Sequence, residues 1–302
     1  FYAFKGVVRR RHPERDEWYD QLLKEVSKKK PLKKKKIKSD LAYIFTLSDW
    51  QLGKVDLGVE KTLERYDKAL DRAVAEVRQL GSVDEIYLLS MGDLTEGCYG
   101  FYDSQAHNIS LNLSQQYHLA RKLIMKTVDT FLPYANKIVL SGVPANHGEM
   151  ARSGKGQVVT SRLDNSDTMH LEICQEIMEQ NKRYDKVSVS IPEGFHHTVE
   201  VKGHTVAFTH GHMHSGGAGP EGKIMKWWQG QMFGDFPVGD AEILVTGHFH
   251  HPRMMQQGNR TWFQCPSIDA SIDFTARTGM WSKPGVLTFT IDKDGWDNYK
   301  IL

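Results

Sequence analysis

Apolar and polar positions along this chain alternate between two kinds of run. Short apolar runs at Leu41–Leu47, Ile86–Met91, Ile138–Val143, Thr205–Thr209 and Glu242–Thr246 have the length and content of buried strands. After the first, Leu63, Tyr66, Leu70, Val74 and Val77 recur every three or four residues. This predicts a helix over Glu60 to Leu80 with one buried stripe, stopped by Gly81. A second helix is predicted over Ser114 to Phe131, with Tyr117, Ile124, Val128 and Phe131 inward and Pro133 beyond its end. Strands separated by helices of this length pair in parallel. The later chain changes character. Thr198 to Phe208 reads as a hairpin turning at Lys202-Gly203, and Val286 to Tyr299 as another around Asp292-Lys293-Asp294-Gly295. The predicted class is α/β (α+β), as a four-layer sandwich of two mixed β-sheets flanked by helices.

Each of the five apolar runs ends in a residue able to bind a metal. Ser48-Asp49 follows the first, Gly92-Asp93 the second and Pro144-Ala145-Asn146-His147 the third; His210 follows the fourth and Gly247-His248-Phe249-His250 the fifth. Ligands of α/β sheets gather beyond the carboxyl ends of strands, so one edge should collect these groups. Two Asp, one Asn and several His make up a two-metal hydrolytic site, in which paired cations hold the attacking and leaving oxygens of a phosphoryl transfer. Asp93, directly after a strand and a glycine, is the natural bridging carboxylate.

Composition narrows this picture only locally. The hydrophobic and charged fractions, 40% and 25%, are those of an ordinary globular domain. No apolar stretch approaches a bilayer span, and the first residues lack a secretory h-region, so the chain reads as cytoplasmic and without membrane contact. Cys98, Cys174 and Cys265 form no CxxC pair and read as reduced and buried. The net charge is +2, yet Lys28 to Lys38 alone holds eight lysines and no acid, which leaves the remainder net acidic. Residues 1–40 therefore read as a basic extension, with a short helix around Trp18 to Val26. The lysine run is either a grip for phosphate backbones or a solvated linker. Residues 41–302 read as the catalytic domain, with an insertion at about 211–240.

In order along the chain, Asp49-x-Gln51, Gly92-Asp93, Asn146-His147, His210-Gly211 and Gly247-His248-Phe249-His250 resemble the motifs of the calcineurin-like metallophosphoesterases. The resemblance spans roughly residues 41 to 251. The wording Ser48-Asp49-Trp50-Gln51-Leu52-Gly53-Lys54 and Gly247-His248-Phe249-His250-His251-Pro252 is similar to phage-encoded members of the SbcD nuclease kind, which would place the chain in a host cytoplasm. The resemblance implies that Asp49, Gln51, Asp93 and His250 hold one divalent ion, and Asp93, Asn146, His210 and His248 another. His147 would then act at the leaving group and a metal-bridging hydroxide would be the nucleophile. Manganese is favoured, with Zn, Fe, Co or Ni as alternatives. Members of that kind commonly form homodimers and work with an ATPase partner subunit, though no apolar helical patch in this chain points to either.

Two motifs depart from the family pattern. Gln51 stands where the first motif has His, so the first metal position is the weaker. The acid of the third motif is displaced by one, to Glu149. Candidate substrate contacts are His212, Arg152, Lys155, Trp227 and Trp228, the last two either stacking bases or packing the insertion onto the domain. The Asp164-Asn165-Ser166-Asp167 segment reads as a helix cap or as support for the site. Gly217 to Lys223 has P-loop spacing without its Ser or Thr, and Asp292 to Gly295 is a turn, not a calcium loop. The expected activity is a metal-dependent phosphodiesterase or nuclease acting on DNA. The alternatives are a phosphatase or diesterase for nucleotides or phosphoproteins, and an inactive scaffold that binds nucleic acid.

Overall fold

A computed structural model of the chain describes residues 15–32, 36–56, 58–153, 157–214, 220–270, 275–276, 279 and 281–302. Strands β1 (Ala42–Ser48), β2 (Val83–Gly92), β3 (Ala135–Gly142) and β4 (Val187–Ser190) pair in parallel, and β10 (Leu287–Asp292) and β11 (Gly295–Ile301) extend them antiparallel. The first sheet runs β11-β10-β1-β2-β3-β4. The second contains β5 (His196–Val201), β6 (His204–Thr209), β7 (Ile243–Thr246), β9 (Arg260–Gln264) and β8 (Arg253–Gln257), in that order. There β6, β7 and β9 are parallel, with β5 and β8 antiparallel at the edges. Both hairpins expected from the alternation are present, as β5–β6 and β10–β11.

Three apolar clusters define the layers. Helices α1 (Arg15–Ser27), α2 (Val59–Gln79), α3 (Leu113–Phe131) and α4 (Ser166–Glu179) pack on one face of the first sheet through Tyr66, Leu70, Val77, Ile124 and Phe131. Ile44, Tyr87, Leu89, Phe208, Val245, Phe263 and Phe289 fill the space between the sheets. Ile224 and Trp228, from α5 (Pro220–Phe233), with Val238 of α6 (Pro237–Asp240), cover the far side of the second sheet over Leu244 and Trp262. The result is helix, sheet, sheet, helix, as the pattern predicts. β1 to β3 read as unbroken apolar runs because helices lie on one face and the second sheet on the other. No helix among the described residues is long and apolar enough to cross a membrane.

The basic extension is not a free arm where it is described. Leu22 and Val26 of α1 are buried in the helical layer, and Asn181 donates to the carbonyls of Val26 and Lys29. Lys29 pairs with Asp129 in the last turn of α3, and the Ile37 N–H donates to Asn136 Oδ1 at the start of β3 (2.9 Å). These contacts lie at the amino ends of the parallel strands, the edge opposite the ligand-type residues. The apolar pair Leu22 and Val26, one helical turn apart, buries one face of α1 against the domain. A Val26→Ala change is accordingly expected to cost about 2 kcal/mol, two methyls at about 0.8 kcal/mol each plus an unfilled gap. An unchanged urea midpoint would show instead that the segment is appended.

Candidate metal centre

Asp49 follows β1, Asp93 follows β2, Asn146 and His147 follow β3, His210 follows β6, and His248 and His250 follow β7. Because β1–β3 are adjacent in one sheet and β6–β7 in the facing one, both rows of carboxyl ends open on the same edge. Asp49, Gln51, Asp93, His248 and His250 all have φ between 44° and 69°, five of the nine described non-glycine residues with positive φ. That conformation costs a β-carbon about 1–3 kcal/mol, and such strain collects where side chains must be aimed rather than packed. Gly92 permits the turn before Asp93: its φ is 82°, and a Cβ there would collide with that of Ala145.

Around Asp93 the polar atoms converge. His210 Nδ1 faces the carbonyl of Met91 (2.7 Å), so that nitrogen carries the proton. Its Nε2 faces Asn146 Oδ1 (2.9 Å) and Asp93 Oδ2 (3.1 Å), while the His147 N–H donates to Asp93 Oδ1 (2.8 Å). Asp93, His210 and His248 each present a ligand atom within 4.8 Å of the others. Burial opposes charge on Asp93, but His210 and His147 outweigh it and hold the carboxyl well below the usual range. Burial likewise lowers His210, yet the Asp93 carboxylate prevails and pushes it up to about 9. A second proton on His210 thus satisfies acceptors that would otherwise face one another. A divalent cation would satisfy them equally well, and the mixture of carboxylate, amide oxygen and imidazole suits one. Burial, then the neighbouring His210, pulls His248 down to about 3, which leaves its ring neutral as a ligand must be.

The first position is built differently. Asp49 accepts from the His248 N–H with both oxygens (3.1 and 3.2 Å) and from the Ser48 hydroxyl, and lies 3.3 Å from His250 Nε2. Gln51 Oε1 accepts from Lys54 Nζ (3.0 Å), and Gln51 Nε2 lies 3.4 Å from His250 Nε2. Lys54 also reaches the buried Asp269 (2.7 Å). Burial disfavours its charge, but Asp269 overcomes that and raises the Lys54 pKa, so it remains an ammonium.

His147 is held by residues the motif reading overlooked. Its Nδ1 donates to the Glu96 carbonyl (2.7 Å) and lies 3.7 Å from the Glu96 carboxylate, which is fully buried and accepts from Tyr102. Burial lowers the His147 pKa, but Asp93 and Glu96 raise it more. The imidazole stacks on Phe101 at 4.3 Å and 10°, and the Arg152 guanidinium covers the far side of that ring at 3.9 Å. Glu149, the displaced acid of the third motif, pairs with both Arg152 and Arg162 and so fixes the stack. The signal for Glu96 was its place three residues after Asp93, in Asp93-Leu94-Thr95-Glu96.

Asn165 caps α4 by accepting from the Asp167 N–H (3.1 Å), while the Asp167 carboxylate accepts from the N–H groups of Asp93 (3.1 Å) and Leu94 (3.0 Å). The segment therefore both caps a helix and anchors the Asp93 turn. Burial, with the charge of Asp93, pushes Asp167 up to about 7.

The substrate-contact expectations fare unevenly. Trp228 takes the packing role of its two expected ones: it is buried in the outer cluster and its indole N–H donates to the Val238 carbonyl. Trp227 stacks on His214 at 4.4 Å and packs against the same cluster. Arg152 lies over the Phe101 ring and pairs with Glu149. The His212 ring lies 5.4 Å from that of His210, and burial lowers its pKa to about 3. Lys155 and Gly217 lie outside the described residues.

No protein-family model and no curated protein matches the chain. Solved structures similar to it include an archaeal phosphodiesterase (11% identity, 86% of this chain and 99% of that one, TM-score 0.37). A hypothetical protein of Pyrococcus horikoshii (11%, 86% and 88%, TM-score 0.40) and a zinc-complexed Vps29 of Entamoeba histolytica (11%, 85% and 88%, TM-score 0.34) are also similar. The strand order, the facing mixed sheets and the ligand-type residues at their shared edge give this chain the architecture implied by its resemblance to the calcineurin-like metallophosphoesterases.

Proposed function

We propose that the chain is a metal-dependent phosphodiesterase that cuts nucleic acid, DNA being the substrate class favoured. One observation carries this reading: a cluster of metal-type donors at Asp93, Asn146, His210 and His248 adjoins a histidine, His147, whose tautomer is fixed by Glu96. A cation held by those donors would polarise a phosphoryl group and lower the pKa of water. The chain's own groups do the rest. With Nδ1 bound to Glu96, His147 has Nε2 as the nitrogen that exchanges a proton, and its raised pKa keeps that proton available for a departing oxygen. Asp167 and Glu149 hold the two loops in register.

Two exposed aromatic rings favour a polynucleotide over a small monoester. Tyr99 is two residues from Phe101 of the His147 stack, and Trp281 precedes Ser282, whose hydroxyl donates to the His250 carbonyl (2.6 Å). Base stacking on such rings contributes about 1–3 kcal/mol per base. Tyr99→Ala and Trp281→Ala are expected to raise KM for single-stranded DNA by about tenfold or more while leaving bis-p-nitrophenyl phosphate hydrolysis unchanged. Equal effects on both substrates would remove the stacking argument.

The test of the function is hydrolysis of bis-p-nitrophenyl phosphate, p-nitrophenyl phosphate and labelled single- and double-stranded DNA with added Mn²⁺, with Asp93→Asn as control. Diester and DNA cleavage that the control lacks is the expected result. Activity confined to the monoester would overturn the nuclease reading, and inactivity with Mn²⁺, Zn²⁺, Fe²⁺, Co²⁺ and Ni²⁺ alike would leave a scaffold.

A further inference from the structure

We infer that this centre takes one divalent cation, not two, and that the Lys54 ammonium supplies the fixed positive charge at the first position. The inference rests on reading Asp93, Asn146, His210 and His248 as metal ligands. It concerns what stands across from them.

The amide of Gln51 decides the matter. Lys54 Nζ is 3.0 Å from Gln51 Oε1. An ammonium donates and never accepts, so the oxygen, not the NH₂, must face it, and the amide cannot be flipped without placing donor against donor. Gln51 therefore turns its nitrogen toward His250, 3.4 Å from Nε2. An NH₂ group is no ligand for a cation. A metal between Asp49 and His250 would meet the wrong end of the amide, with an ammonium directly behind it.

Lys54 is itself held in place. Asp269, buried and 2.7 Å away, is its second partner, and the Asp269 N–H is in turn fixed by Ser267 Oγ (2.9 Å). The same Ser267 hydroxyl donates to the carbonyl of Asp49 (2.8 Å), so one serine ties both sides of the position together. The lysine chain is mostly buried, as a side chain serving only solubility would not be.

Asp49 also has other work. Its carboxylate accepts from the His248 N–H and from Ser48, which holds the strained turn that presents His248 to the opposite position. The charge of Asp49 is thus met by these hydrogen bonds, while Lys54 stands behind Gln51 with its ammonium held by Asp269. The two halves of the site differ in kind: around Asp93, acceptors converge and call for a cation, while around Gln51 a cation is already built into the chain. A fixed ammonium there can hold a non-bridging phosphoryl oxygen as a point charge, without the exchange and dehydration a second metal would need.

The experiment counts metal. Chelator-stripped wild-type protein is reloaded with excess Mn²⁺, freed of unbound ion by gel filtration, and measured by plasma mass spectrometry and electron paramagnetic resonance. One Mn per chain with an isolated-ion spectrum is expected. Two per chain with an exchange-coupled spectrum would overturn the inference, and this reading needs no variant to fold. The Gln51→His/Lys54→Ala double variant is expected to approach two per chain; if it stays at one, Gln51 and Lys54 do not set the capacity. His210→Ala is expected to hold almost none, and a full equivalent there would put the ion elsewhere and sink the assignment. Since none of these readings involves turnover, a failure of the phosphodiesterase reading leaves them intact. A count of two would likewise leave that reading standing.

Discussion

Asp93→Asn is expected to lower phosphodiester hydrolysis by about 10³-fold or more and to empty the protein of tightly held metal. The estimate follows from the several kcal/mol of charge stabilisation a cation contributes to phosphoryl transfer, at about 1.4 kcal/mol per decade of rate. Asn is the informative replacement. Asp93 sits at φ 52°, a conformation Asn tolerates better than other residues, so the turn after β2 should survive. The amide can still accept from the His147 N–H, which keeps that loop in place. What vanishes is the negative charge that opposes His210 and gathers the donors. Metal content measured beside initial rates on bis-p-nitrophenyl phosphate checks both halves, and a variant that keeps its metal and its rate would show that Asp93 is not the centre of the site. Stability should fall by up to about 3–5 kcal/mol, because removing the carboxylate leaves the buried His210 without its counter-charge, so rates are compared at a temperature where unfolding curves show the variant folded.

Legibility in the sequence followed the range of the interactions. The strands were legible because burial on both faces makes β1 to β3 continuous apolar runs, and the helices because α2 and α3 each show one face to the sheet. Asp49, Asp93, Asn146, His210, His248 and His250 were legible because each lies just past such a strand. Side-chain partnerships across long separations were not. Glu96 and His147 are 51 positions apart, and Lys54 and Asp269 are 215 apart, with nothing local to link them. Gln51 was recognised as unlike the usual ligand, but its hydrogen bond from Lys54, three residues on, is one that no periodicity reveals. The burial of Leu22 and Val26 in α1 was not legible either, because the lysines that follow dominate that segment's composition. For Trp228 the sequence left two roles open, stacking bases or packing the insertion, and only the indole N–H donating to the Val238 carbonyl, ten residues on, distinguishes them.

His147→Ala should have the next largest effect, and its size should depend on the leaving group. Positioned acid catalysis contributes about 10²–10⁴-fold when the departing oxygen is strongly basic. A DNA alkoxide needs a proton, so loss of His147 should cost close to that range on DNA. p-Nitrophenolate leaves readily without one, and the loss on bis-p-nitrophenyl phosphate should be markedly smaller. A variant that removes only the support of the ring gives the graded comparison. Phe101→Leu abolishes the 4.3 Å stack that holds the imidazole between Glu96 and the Arg152-covered ring. An aromatic pair of that kind contributes about 0.5–1.5 kcal/mol, so the rate on DNA should fall by up to about tenfold, again with less change for the nitrophenyl ester. Phe101→Tyr, which keeps the ring, should restore most of the rate. Identical losses on both substrates would exclude proton donation by His147 and leave it only the task of stabilising charge.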